Sequence, residues 1–123
     1  MNQLSALDIY YLLKEFKTLI GSKINNVYQL SKKEFYFQIH TPNKGKSYLK
    51  LSLPSFIFLT EKKETIETPS NFSIFLRKHL NNARIRSISQ KNFERIIEIQ
   101  LEKETTHILI IELFSKGNII LCD

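Results

Sequence analysis

"ARIRSISQKNFERIIEIQLEKETTHILIIELF", residues 83–114, decides the fold, because its apolar residues recur at every second position rather than at helical spacing. Three strands are expected, at 83–89, 93–102 and 106–114, and their short connections favour antiparallel pairing. Successive side chains of a strand face opposite sides. In the middle strand Phe93, Ile97, Ile99 and Leu101 therefore share one face, whereas Glu94, Glu98, Gln100 and Glu102 share the other with Ile96. Arg95 falls on the apolar side. An arginine there needs a carboxylate, backbone carbonyls, or a path to water along its aliphatic stem.

Working outward, "NIILC" at 118–122 adds a strand after the turn at Lys116 and Gly117. Upstream, "KINNVYQL" (23–30), "EFYFQIH" (34–40), "SYLKLSL" (47–53) and "FIFLT" (56–60) read as strands, and "TPNKGK" joins the second and third as a hairpin. Two segments break the alternation. In "LSALDIYYLLKEFKTLIG" (4–21), Ile9, Leu12, Leu13, Phe16, Leu19 and Ile20 recur at helical spacing, with Gly21 at the C-terminal cap. Ser5 and Asp8 form a capping-box pattern, and Leu4 can staple to Ile9. Pro69 and Ser70 introduce a second helix, "NFSIFLRKHLNN" (71–82), whose stripe is Phe72, Phe75, Leu76 and Leu80. "EKKETIETP" (61–69) reads as a charged surface loop. Two helices among eight strands, without regular alternation, give an α+β domain rich in antiparallel sheet.

The 123 residues suffice for one domain, with 42% apolar and 24% charged residues, and only three glycines and three prolines. No apolar run approaches the roughly 18 residues of a membrane span, and "MNQLSALD" lacks the features of a signal peptide, so the cytoplasm is expected. One cysteine, Cys122, permits no internal disulfide, and His40, His79 and His107 lack zinc-site spacing, so neither a metal nor another cofactor is expected. The net charge of +6 is concentrated in residues 77–95, where Arg77, Lys78, Arg84, Arg86, Lys91 and Arg95 face Glu94 alone. Such clustering suits a polyanion, because neutralising phosphates releases counterions. Cations at the end of the second helix also suit its dipole, and a solvated charged face is the bland alternative.

Catalytic patterns are missing: no Gly-rich phosphate loop, HExxH, GxSxG or usefully spaced Cys–His pair is present. The remaining constellation is Asp8, Glu94 and Arg95. Adjacent strand residues point apart, so Glu94 can share Arg95's face only if a bulge near Asn92 intervenes. If the first helix crosses this face, Asp8 reaches Arg95 in a partly buried fork. Such a fork recognises an anion or a base edge but supplies no nucleophile.

"SALDIYYLLKEF", "GSKINNVYQL", "TPSNFSIFLRKHLNNARI", "FERIIEIQL" and "ELFSKGNIIL", in this order, resemble the amino-terminal domain of the NFACT proteins over nearly the whole chain. That group includes the eukaryotic nuclear export mediator factor and the bacterial RqcH proteins, also called fibronectin-binding protein A. The resemblance implies an antiparallel β-sandwich with flanking helices, like the N-terminal domain of formamidopyrimidine DNA glycosylases. It also implies ribosome-associated quality control: binding of a large ribosomal subunit with stalled peptidyl-tRNA, and recruitment of tRNA for C-terminal tailing of the nascent chain. The family's helix-1 aspartate and its Asp-Arg pair, required for tRNA engagement, fall on Asp8, Glu94 and Arg95, with Glu94 replacing the usual aspartate. Arg77, Lys78, Arg84, Arg86 and Lys91 would supply phosphate attraction. The chain, 1–123, then reads as one domain of a longer multidomain protein.

The domain is expected to bind rather than catalyse, since the glycosylases use an N-terminal Pro-Glu and this chain begins "MNQL". The competing reading is a nucleic-acid-binding or protein-interaction domain of the same fold without tailing activity.

Overall fold

The structure, a computed structural model, describes residues 4–62 and 70–122. The part of the expected charged loop from residue 63, and Pro69 with it, lies outside the described residues. Among the described residues two α-helices, α1 (Ala6–Phe16) and α2 (Asn71–Leu80), accompany eight strands. These are β1 (Lys23–Ser31), β2 (Glu34–Thr41), β3 (Gly45–Ser52), β4 (Phe56–Thr60), β5 (Arg84–Gln90), β6 (Ile96–Glu102), β7 (Thr106–Glu112) and β8 (Asn118–Cys122).

All pairings are antiparallel, in the order β4-β3-β2-β1-β5-β6-β7-β8. The ladder is continuous except at its middle, where β1 and β5 share one register pair, Lys23 with Arg84. There it folds into two four-stranded halves. At the far side Lys33 Nζ donates to the Gly117 carbonyl at 3.1 Å. A Cβ at Gly117 would stand 2.7 Å from Leu53 Cβ, so the β7–β8 turn abuts the β3–β4 turn through a residue with no side chain. The expected α+β sandwich with flanking helices is the architecture found.

The core follows from parity. Phe35, Phe37, Ile39, Leu49, Leu51 and Ile57 from one half, and Ile97, Ile99, Leu101, Leu109, Ile111 and Ile119 from the other, belong to one buried cluster. The helices close it with their apolar stripes, Ile9, Leu13 and Phe16 from α1 and Leu76 and Leu80 from α2. Truncating one such residue to alanine costs about 2–5 kcal/mol, because the packed neighbours collapse only partly into the space.

Two shifts of expected boundaries bear on the site. α1 stops at Phe16 and tightens into a 3-10 turn (Lys17–Leu19), after which Gly21, at φ 93°, turns its N–H to the Ile85 carbonyl at 2.8 Å. More consequentially, β6 starts at Ile96, not Phe93. Asn92 and Phe93 take left-handed φ values of 49° and 56°, which a strand cannot contain. Lys91 N–H bonds the Ile96 carbonyl at 3.0 Å and Glu94 N–H bonds that of Lys91 at 2.8 Å, so 91–95 close a turn. Arg95 therefore sits on a turn rather than on the apolar face of a strand.

Candidate functional site

Where α1 begins, three separate ties hold it in place. Ser5 caps it reciprocally: the Asp8 N–H donates to Ser5 Oγ at 3.1 Å, and the Ser5 N–H donates to Asp8 Oδ2 at 2.9 Å. Leu4 N–H bonds the Ser55 carbonyl at 3.2 Å, joining the segment to the β3–β4 turn. Gln90, the last residue of β5, sends its Nε2 to the Ala6 carbonyl at 2.8 Å and to the Glu94 carbonyl at 2.7 Å. The 91–95 turn is fixed at its other end by Leu113 N–H to the Arg95 carbonyl, 2.8 Å.

These ties border an open cleft of about 550 Å³, lined by Leu4, Ser5, Ala6, Glu94, Arg95 and Phe114. Glu94 is exposed and Arg95 half-buried. The turn thus does what a regular strand could not: it brings adjacent residues 94 and 95 to one cavity. Asp8 is not among the lining residues but is one hydrogen bond away, on Ser5. The expected partly buried fork is corrected here, because Asp8 is exposed: α1 turns Ile9, Leu13 and Phe16 inward, and position 8 faces solvent. The backbone N–H of Ser5, and secondly its hydroxyl, hold the Asp8 carboxyl below its ordinary value of 3.8. An ionised carboxylate at the helix start accepts hydrogen bonds and occupies the place an incoming phosphate would take.

The five cations expected as a phosphate patch divide by their partners. Arg77 Nε donates to the Val27 carbonyl at 2.7 Å, with its guanidinium 5.0 Å from the Tyr28 ring centre. Arg84 Nη1 donates to the Gly21 carbonyl at 2.6 Å, tying β5 to the end of the first helical segment. Arg86 pairs with Glu102 at 2.6 Å. Lys78 and Lys91 are exposed, on α2 and on the 91–95 turn. Sequence spacing groups these residues; the fold gives the three guanidiniums internal acceptors.

Sequence reasoning missed the aromatic neighbourhood of the cleft. Tyr10 and Phe93 are exposed, with ring centres 6.0 Å apart, and Tyr11 is exposed beside Tyr10. A signal existed in α1, where Tyr10 and Tyr11 lie off the apolar stripe. None existed for Phe93, which parity had assigned to the core. Among the described residues no group of three or more His, Cys, Asp or Glu gathers to hold a metal, and no helix is long and apolar enough to cross a membrane.

Residues 5–123 match the family model described as NFACT N-terminal and middle domains. Among curated proteins, the chain is 35% identical over 125 residues to ribosome quality control complex subunit 2 of Saccharomyces cerevisiae, covering 98% of this chain and 12% of that protein. It is 34% identical to the human ribosome quality control complex subunit NEMF, covering 99% and 12%. The archaeal Rqc2 homolog aRqcH of Methanocaldococcus jannaschii is 28% identical, covering 97% and 19%. The chain thus spans less than a fifth of the length of these relatives. Among solved structures, the N-terminal domain of the fibronectin-binding protein PavA from Streptococcus pneumoniae superposes with a TM-score of 0.87 at 31% identity, covering 97% of this chain and 49% of that one. The N-terminal part of the fibronectin/fibrinogen-binding protein of Streptococcus suis gives 0.90 at 27% identity, covering 98% and 49%.

Proposed function

The chain belongs to the NFACT family, and from that membership we propose that it is the tRNA-binding module of a ribosome quality control factor acting in the cytoplasm. The longer protein would engage a large ribosomal subunit carrying stalled peptidyl-tRNA and recruit tRNA for C-terminal tailing, with bond formation left to the ribosome. The names of the yeast and human relatives support the pathway.

One observation carries the assignment to this domain: the 550 Å³ cleft joins Glu94 and Arg95, from one turn, to the Ser5–Asp8 cap of α1. Arg95 supplies a planar set of donors suited to a phosphate or a guanine edge. Glu94 and Asp8 supply acceptors for base amino groups and ribose hydroxyls, which RNA presents in unpaired regions. Phosphate attraction falls to Lys91 and Lys78, both exposed, whereas Arg86, exposed as well, is paired with Glu102. No cofactor is required by such a site, since recognition uses hydrogen bonds and charge alone.

Binding of total tRNA to the wild-type chain and to Arg95→Ala at two salt concentrations, with thermal melts of both, tests this reading. The expected result is weaker binding by a variant that melts as the wild type does. Equal affinity would overturn the assignment of the site, as would a loss that merely follows the unfolded fraction.

A further inference from the structure

Beside the cleft, on the other side of the Gln90 tie, α1 and the 91–95 turn enclose a second groove of about 310 Å³, bordered by Tyr10, Lys14, Lys17, Gln90 and Phe93. That volume is at the lower end of small-molecule sites, roughly 300–1,000 Å³. Its composition is unusual for a surface. Tyr10 and Phe93 in its wall are 44% and 55% exposed with ring centres 6.0 Å apart, and Tyr11, 59% exposed and outside the groove, is centred 5.4 Å from Tyr10. Single exposed aromatics need no explanation, but a cluster does. Lys14 Nζ stands 5.2 Å and 5.3 Å from the two tyrosine ring centres, so a cation is fixed against the aromatic surface. Lys17 is a second cation on the wall, and none of the described residues lining the groove is a carboxylate.

Phe93 is exposed on a turn with unusual backbone geometry. Its φ of 56° follows the 49° of Asn92, a pair of left-handed residues that a bulky side chain disfavours. Such conformations concentrate where function requires a side chain to be displayed.

We propose that Tyr10 and Phe93, with Lys14 and Lys17, form a stacking site for one unpaired nucleobase of single-stranded RNA, the lysines receiving its flanking phosphate. Exposed ring faces serve bases that have left a duplex stack, and such stacking tolerates any base. Positive charge without a lining carboxylate favours a polyanion over an acidic-poor apolar peptide. The proposal rests on the RNA-binding reading above and extends it: Arg95 and the acids read polar edges in the cleft, and the aromatic groove takes an unpaired base next to it.

A test uses two RNAs, a stem closed by an unpaired loop and the same stem as a blunt duplex, with wild type, Phe93→Ala, Phe93→Trp and Arg95→Ala. The wild type is expected to prefer the looped RNA. Phe93→Ala should lose on the order of tenfold for the loop with little change for the duplex, and Phe93→Trp should restore binding and show quenched indole fluorescence. Loop binding kept by Phe93→Ala but lost by Arg95→Ala would overturn the stacking site and leave the cleft intact. Binding unchanged in both variants would overturn both readings. A self-associated wild type dissociated by Phe93→Ala, without a loop-specific loss, would reassign the patch to a second copy of the chain.

Discussion

Gln90 and Ala6, 84 residues apart in sequence, are joined by a 2.8 Å hydrogen bond from the Gln90 amide to the Ala6 carbonyl. The same nitrogen holds the Glu94 carbonyl, so one neutral side chain sets the distance between the start of α1 and the turn carrying Glu94 and Arg95. Gln90→Ala removes both bonds without changing charge. It is expected to cost about 1–3 kcal/mol, at roughly 0.5–1.5 kcal/mol per bond. It should also weaken tRNA binding without altering its salt dependence, measured by melts and by binding at several salt concentrations.

Asp8 gives acid sensitivity of a stated sign. Its carboxyl is depressed from 3.8 by the Ser5 N–H and hydroxyl, so its contribution is complete above 3.8 and is lost as pH falls through the folded-state value. The melting temperature of Asp8→Asn should be below that of the wild type at neutral pH, and the two should converge in strong acid. A gap that stays constant across this range would show that the capping charge has no part in stability.

The cations should separate into two kinds. Arg84→Ala deprives the Gly21 carbonyl of its 2.6 Å partner and is expected to destabilise by about 1–3 kcal/mol. Lys91→Ala, on an exposed turn residue, should leave the melt unchanged and lower the slope of log affinity against log salt by roughly 0.7–0.9.

Gly117, at φ 74° and without space for a Cβ against Leu53 and Pro54, joins the two halves of the sandwich. Gly117→Ala should destabilise by about 1–3 kcal/mol through overpacking and backbone strain, read by denaturant unfolding. Gly45→Ala, at φ 87° but with nothing near its Cβ, isolates the backbone part of that cost.

Much of the fold was legible because two periodicities carry it. Alternation in 83–114 located β5, β6 and β7, and Ile97, Ile99 and Leu101 are buried as parity requires. The capping box of Ser5 and Asp8 was readable from spacing alone and is present. The start of β6 was not, since Asn92 and Phe93 adopt left-handed backbone in a sequence with no glycine at that point to announce it. That one turn moves Arg95 off the strand, brings Glu94 to the same cleft as a bulge near Asn92 would, and exposes Phe93, which parity had placed in the core. Nor could charge counting tell that Arg77 and Arg84 spend their donors on the carbonyls of Val27 and Gly21, because those contacts cross 50 and 63 residues of sequence.

The most direct measurement is a titration of tRNA into the isotopically labelled chain, following backbone amide shifts residue by residue. Binding at the cleft predicts shifts concentrated in 4–10 and 90–95, present in the wild type and abolished by Arg95→Ala. Shifts centred instead on α2 or on the β4 edge, or no shifts at all, would contradict it.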